Sequence, residues 1–221
     1  MILALILMCE AMVYKISYIQ KASSINLFTI KNTDHYVFGL HITPESFQSF
    51  NSIWMLILSP VLAYYYVRSE NSRFDLSIYN KFSIGLFCIG FAYVILYMSR
   101  FTAIDGITSA YWLVVSYAFL ALGELLISAI GLSMFAKLAP AKINGFAVGV
   151  WWVFLAFASI LGGVIAQTIA FKKEEVIMLS LSTSLNNYTD FFLNVGSIVI
   201  IISFLSFCFL PFKRWLMRAV I

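Results

Sequence analysis

Charge is what this sequence is shortest of. Fourteen Lys and Arg with ten Asp and Glu make up 11% of 221 residues, against about 25% in a soluble domain. Hydrophobic residues make up 62%, and mean hydropathy is +0.94. So few charges cannot coat a water-facing surface around so apolar a chain. A soluble globular enzyme, a disordered chain and a disulfide scaffold are excluded, and an integral membrane protein is left.

Cysteine and histidine are also scarce. Cys9, Cys88 and Cys208 each stand in an apolar run, far apart, with no CxxC and no histidine nearby. That pattern reads as buried small hydrophobes rather than a metal or redox site. His35 and His41 share one loop and read as solvated side chains. No block of Lys and Arg marks a polyanion site, so nucleic acid is not an expected partner. The sequence has no HExxH, nucleophile–base pair, phosphate-cradling glycine loop or paired catalytic carboxylates. Neither an enzyme nor a metal or organic cofactor is expected.

What is abundant is long apolar sequence. Six runs, at about 1–19, 50–67, 82–98, 111–138, 145–171 and 191–212, approach or exceed the roughly 20 residues that cross a bilayer. Backbone groups in lipid must bond within their own segment, so runs of this length are helices. The expected fold is a single all-α bundle of six transmembrane helices. Pro60 should kink the second. The first run starts at Met1, its Lys follows rather than precedes it, and no A-x-A follows. It reads as a membrane helix lacking its upstream flank, not a signal peptide. The chain is thus expected to be part of something longer. Residues 20–49 read as an extracytoplasmic loop with partial alternation, compatible with a short hairpin.

Eight bases (Arg68, Arg73, Lys81, Lys137, Lys142, Lys213, Arg214 and Arg218) fall on one side of these spans. Five (Lys21, Lys31, Arg100, Lys172 and Lys173) fall on the other. The positive-inside rule puts the richer side, and both termini, in the cytoplasm of a cell inner membrane.

Charges inside spans cost about 2.5–3.5 kcal/mol at the centre and usually face a bundle interior or cavity. Glu124 stands mid-span, roughly 20 Å from either end, with Ser128 four residues on along the same face. Gly123 and Gly131 flank them. Glu10 and Lys15 share the first span but lie about 140° apart around it, too far to pair well. Lys15 is the one base expected within a span. Asn51 opens the second span, as a cap or a site residue. Trp151-Trp152, near the cytoplasmic end of the fifth span, suits an interfacial aromatic belt. Ala158, Gly162 and Ala166 repeat every four residues, a helix-packing face.

Together these residues resemble a known family. ALGELLISAIGLSMFAKLAP (121–140) and NGFAVGVWWVFLAFASILGG (144–163) resemble spans ten and eleven of the proton-dependent oligopeptide transporters. Gln20 with SSINLF (23–28), SFNSIWMLILSPVLAYYY (49–66) and NKFSIGLFCIGF (80–91) resemble spans seven, eight and nine. The resemblance implies the C-terminal half of a major facilitator superfamily fold. It also implies a site: Glu124 for the peptide amino terminus, Asn51 and Ser128 beside it, and Trp151 lining a side-chain pocket. Glu10 and Lys15 are candidates for a proton or gating role. Three departures stand out. Ser52 follows Asn51 where the family has Pro, Ile19 precedes Gln20 where many members carry an acid, and Lys15 replaces an aromatic or apolar residue. The family's first-span ExxER and fourth-span lysine belong to the other half. The implied function is the C-terminal half of a proton-coupled symporter for di- and tripeptides. It would work in the lipid bilayer with a separate N-terminal six-helix half, protons being the coupling ion. The alternatives are a non-transporting remnant of a split gene and a membrane-embedded binding or assembly subunit.

Overall fold

The computed structural model describes residues 2–69, 78–138, 142, 144–170 and 180–211. Arg73, Lys172, Lys173, Lys213, Arg214 and Arg218, used above for orientation, lie outside the described residues. The described residues are almost wholly helical. Helix α1 (Ile2–Gln20) passes without a break through a π-helical segment (Lys21–Ile25) into α2 (Asn26–Asn32). Then come strands β1 (Tyr36–Val37) and β2 (Leu40–His41), a 3-10 turn (Pro44–Gln48) and α3 (Ser49–Ser69). Four long helices complete the bundle: α4 (Ile78–Met98), α5 (Tyr111–Leu138), α6 (Asn144–Ala170) and α7 (Leu181–Cys208).

Among the described residues, five helices are long and apolar enough to cross a membrane. The α1–α2 helix, which carries Glu10, Lys15, Gln20 and Lys21, is not among these five. Two expected boundaries are corrected. The loop expected over 20–49 is helical as far as Asn32. The last helix begins at Leu181, not near 191. Both errors come from ending a span where hydropathy falls. Helical hydrogen bonding continues past that point because the polar residues bury against other helices instead of meeting lipid. The Ser180 side chain accepts from the Thr183 N–H and so caps α7.

α4 is the central helix, and close backbone approach holds it there. A Cβ added at Gly123 of α5 would stand 2.8 Å from the Gly85 carbonyl of α4. One at Gly196 of α7 would stand 2.9 Å from the Gly90 carbonyl of α4. Small residues at such crossings let helices pack where lipid supplies no hydrophobic drive. Hydroxyls add short polar bonds. Ser203 Oγ donates to the Ser83 carbonyl at 2.8 Å, Ser116 Oγ to the Ala92 carbonyl at 3.0 Å, and Ser83 pairs with Ser206. Tyr93 Oη donates to the Ser17 carbonyl at 2.5 Å, tying α4 to α1. The expected packing face of α6 meets α1. Gly162 lies where a Cβ would be 3.0 Å from Ile19 Cβ, and Ala158 is buried.

One end of the bundle is closed by loops. β1 and β2 pair antiparallel, Tyr36 opposite His41, about a Phe38-Gly39 turn with φ of +50° and +77°. Asn32 anchors this end. Its Nδ2 donates to the carbonyls of Gly106 and Leu181 at 2.8 and 2.9 Å, and its Oδ1 accepts from Ser184 Oγ at 2.8 Å. Arg100 pairs with Asp190 at 2.8 Å across the same end. The loops after α2 and α4 and the start of α7 therefore converge on one side.

Candidate functional site

Glu124 projects from the middle of α5 into the bundle. Its Oε2 accepts a hydrogen bond from Asn51 Nδ2 of α3 at 3.0 Å. The same oxygen lies 3.9 Å from Lys21 Nζ. Tyr14 and Tyr18 of α1 line the same space as Glu124 and Ser128. Three helices thus converge on one carboxylate. The arrangement is what a charge at this depth requires, since an ion in hydrocarbon persists only with partners.

Lys21 is the residue that sequence reasoning missed. It was counted in a loop, and Lys15 was expected to be the base within the membrane. The structure buries Lys21 to 7% exposure at the first residue of the π-helical segment. A π turn carries an extra residue and so rotates the following side chains relative to a regular helix; such turns recur at functional sites. Gln20 fixes the geometry. Its Nε2 donates to the Gly162 carbonyl of α6 at 2.8 Å and its Oε1 accepts from Ser24 Oγ at 2.7 Å. One usable signal was the spacing Tyr14, Tyr18, Lys21, which is a single helical stripe if the span is not ended at residue 19.

A cavity of about 190 Å³ opens beside Glu124. α1 lines it with Tyr14, Lys15 and Tyr18, α5 with Glu124, Ile127 and Ser128, and α6 with Trp151, Trp152 and Leu155. Of the six residues singled out from sequence, Glu124, Ser128, Trp151 and Lys15 line this one space. Asn51 sits behind the carboxylate as its hydrogen-bond donor. Glu10 is buried on α1 and is not part of the cavity wall. Trp151 is 3% exposed, so it is an interior residue rather than part of an interfacial belt. Its indole packs against α5 at Gly131, with ring carbons 3.0 and 3.1 Å from where a Cβ would be. Trp152 is 57% exposed and forms the open side of the wall.

The chemistry available is a carboxylate for binding a cation, two lysine ammonium groups, two phenols and an aromatic wall. Among the described residues, no group of three or more His, Cys, Asp or Glu could hold a metal ion.

Comparison with known proteins gives this cavity its setting. A sequence model of the POT family matches residues 1–185. Dipeptide and tripeptide permease B of Aeromonas hydrophila is 37% identical over 221 residues, covering 99% of this chain and 44% of the relative. Dipeptide and tripeptide permease A of Escherichia coli K12 is 37% identical over 206 residues, 93% of this chain and 40% of the relative. The crystal structure of tetrameric PepTSo2 superposes with a TM-score of 0.80 at 30% identity, covering 100% of this chain and 44% of that one. A bacterial homologue of the human drug peptide transporters PepT1 and PepT2 gives 0.78 at 30% identity, with 100% and 43% covered. The chain spans less than half the length of the curated relatives it matches. Its all-α membrane fold is of the major facilitator type, and the chain belongs to the POT family of peptide transporters.

Proposed function

We propose that this chain is the C-terminal half of a proton-coupled symporter for di- and tripeptides and transports only with an N-terminal six-helix half. The observation that carries the reading is the Glu124 carboxylate. It is held at mid-span by Asn51 and Lys21 and faces a cavity walled by Trp151. A peptide's ammonium terminus is the natural partner for such a group, and an indole wall suits a variable side chain. The relatives named as dipeptide and tripeptide permeases support the substrate class. At about 190 Å³ the cavity is smaller than the roughly 300–1,000 Å³ of ordinary ligand pockets. That fits one wall of a site completed by a second bundle, as in carriers whose substrate site lies between two halves that rock against each other.

Uptake of a labelled dipeptide into vesicles with an imposed proton gradient tests the proposal. Uptake is expected when the chain is co-assembled with a matching N-terminal half, and none above background with the chain by itself. Gradient-driven uptake by the purified chain alone would sink the half-transporter reading and point to a homodimeric carrier.

The membrane orientation is open to a separate test. The convergence of the loops after α2 and α4 with the start of α7 at one end, with the Lys/Arg asymmetry, supports cytoplasmic termini in an inner membrane. In a Cys-free background, cysteine at position 105 should react with an impermeant maleimide from outside intact cells. Cysteine at position 142 should react only after permeabilisation. The reverse pattern inverts the topology.

A further inference from the structure

The loop end of the bundle carries large apolar side chains that neither the core nor the cavity uses. The β1–β2 hairpin leaves Tyr36, Phe38 and Leu40 at 60, 82 and 69% exposure. Residues 36–44 contain no Asp, Glu, Lys or Arg. The hairpin is docked all the same. Val37 is buried on its inner side, and so is Phe47 of the 3-10 turn that follows, whose ring lies 6.4 Å from that of His35. The Ile42 N–H donates to the His35 carbonyl and the Asp34 N–H to the Thr108 carbonyl, both at 2.8 Å. Apolar side chains are thus held outward on a fixed frame. The frame stands at the end of a span. Phe38 N–H donates to Tyr111 Oη at 3.2 Å, and the two rings meet edge to face at 5.7 Å. Tyr111 opens both α5 and its apolar stretch Tyr111–Ser128. Val115, one turn on, is exposed on the same face. Tyr111 and Val115 stand roughly 140° and 180° around α5 from Glu124. They face away from the cavity, and so away from a bundle that would complete it. The apolar band continues on the loop after α4, where Phe101 and Ile104 are exposed beside Thr102, which accepts from Trp112 Nε1 at 2.8 Å.

We propose that the 36–41 hairpin is a lipid anchor: Tyr36, Phe38 and Leu40 insert into the headgroup–acyl boundary of the leaflet at this end, continuing the lipid-facing side of α5 outward. Exposed apolar patches of this kind mark membrane contact, and aromatic rings collect at that depth. The amphipathic ring of Tyr36 suits a boundary that is apolar on one side and wet on the other. The hairpin base is tied through Asp34 to Thr108, and Asn32 is tied to Gly106 and Leu181. The anchor therefore sets the height of α2, α5 and α7 together. It holds for either orientation of the chain and does not depend on transport.

Nitroxide labels placed one at a time by Leu40→Cys, Glu45→Cys and Val115→Cys in a Cys-free background test this. The full chain is placed in phosphatidylcholine nanodiscs, alone and co-assembled with an N-terminal half. Collision with oxygen, which concentrates in lipid, and with a water-soluble nickel chelate gives each label's depth by electron paramagnetic resonance. The label at 40 is expected about 5–10 Å below the headgroups, the depth of interfacial segments. The label at 45 should read as aqueous and that at 115 as lipid. Tyr36→Ser/Phe38→Ser should move the label at 40 out to the depth of position 45, and Tyr36→Ser alone should shift it the same way where the double variant does not assemble. A label at 40 as aqueous as that at 45, with 115 still in lipid, overturns the proposal. So does a label at 40 that loses contact with both oxygen and nickel once the N-terminal half is added, because a second bundle and not lipid then covers the hairpin. A label at 40 that stays at its depth in the serine variants also overturns it, since the frame and not the apolar side chains then sets the position.

Discussion

Glu124→Gln is expected to abolish dipeptide uptake by the two-half transporter while the chain still inserts into the membrane. Gln keeps the shape and the hydrogen bond from Asn51 Nδ2, so the loss isolates charge. A charge-assisted contact to an ammonium is worth about 1.5–3 kcal/mol, a roughly 10- to 150-fold fall in affinity before any effect on coupling. A second consequence follows from Lys21. Removing the anion 3.9 Å from a lysine only 7% exposed leaves a buried cation without its counter-charge. Breaking a buried pair in this way costs about 3–5 kcal/mol. Lower protease resistance is therefore expected in Glu124→Gln membranes, and Glu124→Gln/Lys21→Met should recover it. Uptake should stay lost in the double variant. If uptake returns there, Glu124 serves only to neutralise Lys21 and the substrate role assigned to it is wrong. Asn51→Ala and Trp151→Ala, which remove a supporting donor and a wall, should weaken uptake less.

Glu124 was legible in the sequence because a mid-span carboxylate has few structural excuses in lipid. Ser128 followed from helical spacing, and the α6 packing face from its four-residue repeat. Lys21 was not legible in the same way. Hydropathy ends the first span at residue 19, and a π-helical turn leaves no compositional trace; only hydrogen bonding, with Gln20 pinned to the Gly162 carbonyl, shows that the chain is still helical there. The start of α7 was missed for a related reason. Its first turns hold Ser, Thr and Asn, which read as loop, yet Ser184 is buried on Asn32 and Tyr188 and Phe192 pack on Phe28. Polar helical ends are specified by tertiary partners that no local window contains. The role of Trp151 stood between belt and pocket until its neighbour across the interface, Gly131, was known.

Gly123→Ala should disrupt both the packing and the site, because the residue before Glu124 is where α5 touches α4. An added Cβ would fall 2.5 Å from Ile89 Cγ1 and 2.8 Å from the Gly85 carbonyl oxygen. The isoleucine can change rotamer. The carbonyl belongs to the backbone of the central helix and cannot move without shifting α4, which is also locked to α7 at Gly90 and Gly196. Relief therefore comes from displacing α5, and that displacement carries Glu124 away from Asn51 and Lys21. Overpacking of this kind costs about 1–3 kcal/mol, against a gain of about 1 kcal/mol from replacing Gly by Ala in a helix. Gly163→Ala is the control, since a Cβ there meets nothing within 4 Å and only the propensity gain remains. Protease resistance of the membrane-inserted chain should fall for Gly123→Ala and hold or rise for Gly163→Ala. Dipeptide uptake with the N-terminal half should drop by about tenfold or more for Gly123→Ala, in line with the sensitivity of such sites to shifts near 1 Å. Parental uptake and stability in Gly123→Ala would show that the α4–α5 contact does not set the position of the carboxylate.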